Sequence, residues 1–85
     1  MDTWFIYIIV TEKGKLYTGI TKDVSKRLDT HKSGKGAKFF RTDSPKKVVY
    51  QEKASNKSQA LKREIIIKKL SRTQKLKLID EPQGS

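Results

Sequence analysis

The sequence predicts a small mixed α/β domain, in which a three-stranded antiparallel sheet is flanked by helices in the order β-β-α-β-α-α. Three observations lead to this class. Residues 4–10 (WFIYIIV) are aromatic and β-branched without alternation, which is typical of a central strand buried on both faces. A short loop with one glycine joins them to a second apolar run at 16–20, as in a hairpin. The capping-box patterns Asn56-x-x-Gln59 and Ser71-x-x-Gln74 predict the first turns of two helices.

The second strand and the first helix carry local signals of their own. Gly19 inside the strand at 16–20 predicts a bulge, or a place where another group approaches the backbone closely. Asp23 is a suitable N-cap for a helix over 24–33, which Gly34 should end. The helical period then directs one face toward the sheet, formed by Val24, Arg27, Leu28 and His31.

The rest of the chain supplies one strand and two helices. Residues 33–38 are expected to form a flexible basic loop, and one or both rings of Phe39 and Phe40 to fold back onto the core. A turn at Ser44-Pro45 precedes a third strand at 47–50. The second helix should extend to about Leu70, and the third should contain Leu76, Leu78 and Ile79. One side of the second helix is expected to carry Ala60, Leu61, Glu64, Ile65 and Lys68, with Ile66, Ile67 and Leu70 widening the apolar stripe. Residues 1–80 are predicted to be one domain and 81–85 a disordered tail.

Composition excludes several classes of site. Ile, Leu, Val and Phe make up about a quarter of the 85 residues, above the ~20% below which disorder is expected. Without cysteine the chain cannot form a disulfide, an iron–sulfur cluster or a thiol nucleophile, and one histidine cannot build a multi-histidine metal site. The longest apolar run is too short to span a membrane, and no signal peptide is readable. A cytoplasmic location is the expectation.

The charge indicates a polyanionic partner. The formal net charge is +11, and the first 21 residues are neutral. Residues 22–47 and residues 51–80 each hold nine basic against three acidic side chains. Nucleic acid is the first partner to consider, and a membrane surface is the second. A coat that only keeps the protein in solution is the plainer interpretation.

Five residues could together carry chemistry. Taken singly, Tyr7, Tyr17, Arg27 and His31 would be ordinary core or surface side chains, yet periodicity directs all four toward the same sheet. Glu64 lies on a helix face that should also dock there. Because an unpaired buried carboxylate is costly, Glu64 requires a cation nearby. The candidates are Arg27 or a metal ion. Taken alone, Glu64 would be a helix-surface charge paired with Lys68 one turn later.

The order and spacing of these residues resemble the GIY-YIG nuclease superfamily, and within it the small stand-alone proteins, over about residues 4–79. The first motif stands as Phe5-Ile6-Tyr7 and the second as Tyr17-Thr18-Gly19. Arg27, His31 and Glu64 follow in order, and residues 17–23 and 61–64 are also similar to this subgroup. The chain departs from the pattern twice. Phe5 stands where the family name has Gly. Many nucleases of this superfamily also carry an Asn after the metal-binding Glu, but residues 65–85 contain no Asn, and Gln74 is only a loose substitute.

The resemblance implies a metal-dependent endonuclease acting on DNA, including structured or branched DNA. Glu64 would be the only protein ligand of Mg²⁺ or Mn²⁺, and Arg27 would bind the phosphate oxygens. Tyr7 or Tyr17 would activate water, with His31 as its partner or as an alternative base. RNA as a further substrate and the oligomeric state stay open. The alternative is a nucleic-acid-binding module of this fold with little or no catalysis. The side chains expected to contact nucleic acid are Lys22, Lys26, Lys32, Lys35, Lys38, Arg41, Lys62, Arg63 and Lys68.

Overall fold

The computed structural model describes residues 3–80, which form one three-stranded antiparallel sheet and three α-helices. The strands lie in the order β2-β1-β3, so the first strand is central, as predicted. The elements are β1 (Trp4–Thr11), β2 (Leu16–Thr21), α1 (Val24–Lys32), a 3₁₀ turn (Lys38–Phe40), β3 (Pro45–Ala54), α2 (Lys57–Lys68) and α3 (Arg72–Asp80). The predicted fold class and element order are confirmed. The predicted tail at 81–85 lies outside the described residues.

The central strand supplies most of the core, because its side chains are buried on both faces of the sheet. Ile6 and Ile8 pack with Ala60 and Ile67 of α2. Tyr7, Ile9 and Phe40 form a second cluster on the opposite face, where Val24 and Leu28 of α1 pack against it. The sheet therefore separates α1 from α2, and the face toward α1 carries the polar aromatic side chains.

The third strand is longer than the sequence predicted, extending over Pro45–Ala54 where only 47–50 was expected. The apolar pattern stops at Tyr50, but pairing with β1 continues as far as Trp4 opposite Ala54. Because β3 is an edge strand, its polar side chains can remain in water while the backbone pairs. Two register shifts interrupt the ladder and leave Lys46 and Val49 without an opposite residue on β1.

The predicted helix ends are confirmed by hydrogen bonds. Asp23 and Asn56 each accept a bond from the backbone N–H three residues later, at 3.0 and 2.9 Å. Ser71 and Gln74 form the complete capping box, with the backbone N–H of each bonded to the side chain of the other. Gly34, in the left-handed region with φ +83°, follows the end of α1. Within residues 3–80, no helix has the length and apolar character needed to cross a membrane.

The buried face of α2 differs from the predicted one. Ala60 and Ile67 are fully buried. They lie seven residues apart on one face of the helix, and Glu64, at i+4 from Ala60, lies on the same face. This face meets the sheet, so apolar side chains about 100° away point outward. The prediction that they dock is wrong for three side chains, which are 40%, 53% and 52% exposed: Leu61, Ile65 and Ile66.

Candidate active site

Tyr7, Tyr17 and His31 meet on the face of the sheet toward α1. Tyr7 lies opposite Gly19 and Tyr17 opposite Ile9, so the two tyrosines are diagonal neighbours on one face. Their ring centroids are 6.3 Å apart, and the His31 ring is 5.6 Å from that of Tyr17. Tyr7 Oη and His31 Nε2 form a buried hydrogen bond of 3.1 Å. The structure therefore brings three of the predicted site residues into contact.

Gly19 makes this arrangement possible by leaving room for the Tyr7 ring. A Cβ atom at residue 19 would lie 2.5 Å from Tyr7 Oη, a distance that real Cβ atoms do not show. The ladder between β1 and β2 continues through this position without a register shift. Of the two predicted explanations for Gly19, the close approach is therefore confirmed, and the approaching group is the phenol of Tyr7.

The loop after α1 fixes the hydrogen position on His31. The backbone N–H of Ala37 donates to His31 Nδ1 at 3.3 Å, so the neutral ring carries its hydrogen on Nε2 and donates it to Tyr7 Oη. A Cβ atom on Gly36 would lie only 1.8 Å from Nδ1, so only glycine allows this approach. Sequence reasoning missed this role and treated 33–38 as flexible. The available signal was a second glycine two residues after the one that ends the helix.

The environment of His31 keeps its ring neutral. The side chain is 4% exposed, and burial together with the positive charge of Arg27 lowers its pKa below the usual value. A ring that stays neutral near pH 7 donates from Nε2 without carrying charge. His31 therefore positions and polarises the Tyr7 phenol, and Nε2 is not free to accept a proton.

The same surroundings make Tyr7 a weak acid. Burial raises the pKa of the Tyr7 phenol well above its usual value; nearby Tyr17 and the carboxylate of Glu64 raise it further, while Arg27 lowers it. In the protein alone, the phenol is therefore protonated at neutral pH. Its ionisation would require additional positive charge in the site.

Arg27 and Glu64 influence Tyr7 through their charges, which shift the pKa of its phenol in opposite directions. Arg27 is exposed, whereas Val24 and Leu28 on the same face of α1 are partly buried. The Glu64 side chain is only 16% exposed, and Lys68 Nζ lies 3.5 Å from its Oε2. The cation in contact with Glu64 is therefore Lys68, as in the plain interpretation of Glu64 as a helix-surface charge.

A single carboxylate such as that of Glu64 fits a divalent cation that keeps most of its water ligands better than one that is coordinated entirely by protein side chains. Residues 3–80 contain no group of three or more His, Asp or Glu side chains placed to share a metal ion. Mg²⁺ commonly accepts one or two carboxylates and keeps several waters. Lys68, with 54% of its side chain exposed, can turn away into solvent. Gln74 is occupied by its capping bond to Ser71, so it does not extend the donor set.

Two phenylalanines adjoin this cluster, but only one folds back onto the core. Phe40 is 6% exposed, and its ring lies 4.6 Å from His31 and 4.8 Å from Tyr17. Phe39 contacts Tyr17 at 5.3 Å yet remains 39% exposed. The 3₁₀ turn therefore extends the aromatic cluster from the buried histidine to solvent.

Most of the predicted nucleic-acid contacts are exposed lysines, but two of the nine side chains are ion-paired. Arg63 is partly buried, and its Nε lies 2.5 Å from Oε1 of Glu52 on β3. Lys68 is the partner of Glu64. Lys22 and Lys57 each lie 5.5 Å from the ring of Trp4, a pair of cation–π contacts that the sequence did not indicate. The exposed members of the predicted set are Lys22, Lys26, Lys32, Lys35, Lys38, Arg41, Lys62 and Lys68.

Comparison with known proteins places this site in context. The family described as the GIY-YIG catalytic domain matches residues 3–77. UPF0213 proteins of Staphylococcus saprophyticus and Staphylococcus epidermidis are 51% identical over 81 residues, which cover 95% of this chain and 99% of theirs. The solution NMR structure of the UPF0213 protein BH0048 from Bacillus halodurans has a TM-score of 0.61 and 36% identity. That match covers 96% of this chain and 87% of the other.

Proposed function

The chain belongs to the family of GIY-YIG catalytic domains, and on this basis we propose that it is a metal-dependent endonuclease hydrolysing phosphodiester bonds in DNA. Structured or branched DNA is the candidate substrate. One observation carries the proposal: Tyr7, Tyr17 and His31 are in contact on the face of the sheet toward α1. A purely structural role does not require two tyrosines and the only histidine of the chain at the same place.

Each residue has a role that follows from its surroundings. Arg27 is exposed and positively charged, so it can bind the non-bridging phosphate oxygens where negative charge develops. His31 donates from Nε2 to Tyr7 Oη and thereby stabilises negative charge on that oxygen. Tyr7 is consequently our candidate for orienting the attacking water and taking its proton, with the less buried Tyr17 as the alternative.

Glu64 is the residue that would hold the metal ion. When bound, Mg²⁺ or Mn²⁺ supplies Lewis-acid stabilisation of the charge that develops on the phosphate. The Glu64 carboxylate raises the pKa of Tyr7. Neutralising this carboxylate therefore lowers the pKa of the phenol and favours its action as a base.

The alternative is a nucleic-acid-binding module with the same fold and little catalysis. Two observations favour it: Lys68 already neutralises Glu64, and Gln74 serves as a cap instead of the family Asn. The net charge of +11 would support binding in both cases. Removal of the carboxylate distinguishes the two functions.

We expect Glu64→Gln to abolish metal-dependent cleavage while leaving DNA binding unchanged or slightly tighter. The substitution keeps the side-chain shape and raises the net charge by one, which favours binding to a polyanion. Cleavage should be measured on single-stranded, duplex and branched DNA with Mg²⁺, with Mn²⁺ and with chelator. Affinity and thermal midpoint are measured on the same preparations.

The matched control is Glu12→Gln, which removes the same charge from an exposed residue of the β1–β2 loop. It should cleave at the parent rate. Cleavage by Glu64→Gln at the parent rate would refute the role of Glu64 as the metal ligand. An absence of cleavage by the parent on every DNA, with tight binding retained, would support the binding module.

A further inference from the structure

A basic cleft opens beside the active site and has an aromatic floor. It encloses about 280 Å³ and is lined by Lys15, Leu16, Phe39, Arg72 and Lys75. Leu16 and Phe39 provide its apolar surface, and no acidic side chain lines it. Phe39 lines this cleft with 39% of its surface exposed, and its ring centroid lies 5.3 Å from that of Tyr17 in the site.

The cleft combines an aromatic ring with several cations, the two features that proteins use to bind a nucleotide. Nucleic-acid strands without a partner bind to proteins through bases stacked on aromatic rings and through phosphates tracked by cations. An apolar peptide would find three cations around a small apolar floor, which would leave its surface poorly matched. A base pair inside a duplex hides the faces of its bases, so only an unpaired base can lie on Phe39.

We propose that Phe39 is a stacking platform for an unpaired nucleobase of the DNA substrate. The cations that hold the phosphates of the same strand are Lys15, Arg72 and Lys75. The inference rests on the proposed function and specifies the part of the DNA that binds next to the site. Because Tyr17 separates Phe39 from His31, with ring-centroid distances of 5.3 and 5.6 Å, a base on Phe39 lies two rings from that histidine. The preferred substrate is then a strand with unpaired bases, as at an end, a gap or a branch.

The test compares three DNAs of equal duplex length, in chelator so that none is cut. One is blunt, one has a single-stranded extension, and one has an extension of abasic sugars with the same phosphates. We expect the extension to tighten binding about tenfold or more. The abasic extension should recover only the part of this gain that is due to phosphates. Equal affinities for the natural and abasic extensions would overturn the proposal, and this comparison needs no variant.

Substitution at residue 39 assigns the gain to the ring. Phe39→Ala should lose the preference for the natural extension and keep its affinity for blunt duplex, whereas Phe39→Trp should retain or increase the preference. The control is Leu61→Ala on α2, which removes an apolar side chain of nearly equal exposure, 40% against 39%, and should change nothing. A preference that persists in folded Phe39→Ala would overturn the assignment to Phe39.

The outcomes also separate this inference from the proposed function. Absence of binding to all three DNAs would defeat both. Binding without preference for unpaired bases would defeat only the stacking platform. A clear preference in a protein that never cleaves would support the platform and leave the binding module as the function of the site.

Discussion

At the scale of single residues, two glycines determine how closely the site is packed. Gly19 admits the Tyr7 phenol against β2, and Gly36 admits the His31 ring beneath the loop after α1. Each is required because a Cβ atom would occupy the position of a ring atom. The two partners of the hydrogen bond between Tyr7 and His31 are therefore each packed against the backbone of a glycine, Gly19 for Tyr7 and Gly36 for His31.

We expect Gly36→Ala to displace His31 and to lower both stability and cleavage. The added Cβ would lie 1.8 Å from Nδ1, so the loop or the ring must move. Overpacking of this kind costs about 1–3 kcal/mol. The free energy of unfolding by urea measures the first effect, and the cleavage rate measures the second. The control is Lys35→Ala, at an exposed neighbour in the same loop, which should have the same free energy of unfolding as the parent. Equal free energies of unfolding for the two variants would contradict the close packing.

Stability should fall as the pH falls below about 6.5, because of His31. Its pKa is lowered in the folded protein by burial and by Arg27, so the unfolded chain takes up this proton at a higher pH than the folded one. The unfolded state is then favoured as pH falls through that window, by at most about 1.4 kcal/mol per pH unit. The chain contains one histidine, so His31→Gln should flatten the thermal midpoint between pH 7.5 and 5. An unchanged slope in this variant would remove His31 as the cause.

A separate loss of stability is expected near pH 4 and below, from Asp43. Burial alone would raise the pKa of this carboxyl, but hydrogen bonds from Thr11 Oγ1 and the Lys13 N–H, with the charges of Lys13 and Lys15, lower it overall. A carboxylate with a lowered pKa stabilises the fold above its unfolded pKa and ceases to do so as pH falls through the folded value.

At the scale of secondary-structure elements, the sequence predicted the features that depend on short local patterns. The caps at Asp23 and Asn56 and the central position of β1 follow from short patterns, and the structure confirms them. The length of β3 could not be predicted, because its last residues are polar and are strands only by pairing with β1. The outward position of Ile65 likewise depends on which side of α2 meets the sheet, and a helix that is apolar on several sides does not specify this.

The site divides in the same way. Its five residues were predicted from order, spacing and the family resemblance, and the structure brings three of them, Tyr7, Tyr17 and His31, into contact. The hydrogen bond from Ala37 to His31 could not be predicted, because it joins a loop to a ring; for the close approach at Gly36 the second glycine was the only signal. The exposure of Phe39 had no signal either, since Phe39 and Phe40 are equivalent until the 3₁₀ turn orients them.

The capping box of α3 should affect both stability and the binding of unpaired bases. Ser71→Ala removes the side chain that accepts the Gln74 N–H, at a cost of about 1 kcal/mol. In a domain of this size, we expect the thermal midpoint to fall by about 4–8 °C. Because α3 carries Arg72 and Lys75, the preference for a single-stranded extension should weaken as well. Thr73→Ala, in the same exposed turn, is the control, and a midpoint as low as that of Ser71→Ala would refute the capping argument.

At the scale of the whole molecule, the charge predicts that DNA binding depends strongly on salt. Contact with about six phosphates would lower the affinity by about 10³ between 50 and 200 mM salt, following a slope of about −0.9 per phosphate. The net charge of +11 and the exposed lysines on α1 and α2 are the reason to expect this. Anisotropy titrations at four salt concentrations measure the slope. An affinity that stays constant would contradict nucleic acid as the partner.

The two register shifts in β3 make this edge strand a poorer template for pairing with another chain. A ten-residue strand with one unpaired side is a template on which another chain could add a strand and begin to aggregate. Pro45 offers no N–H at the start of this edge, and the skipped residues Lys46 and Val49 break its regular spacing. Exposed lysines at 46, 47 and 53 add like charges that would face each other if two copies approached edge to edge. The register shifts, the proline and the lysines thus all disfavour the addition of another strand at this edge.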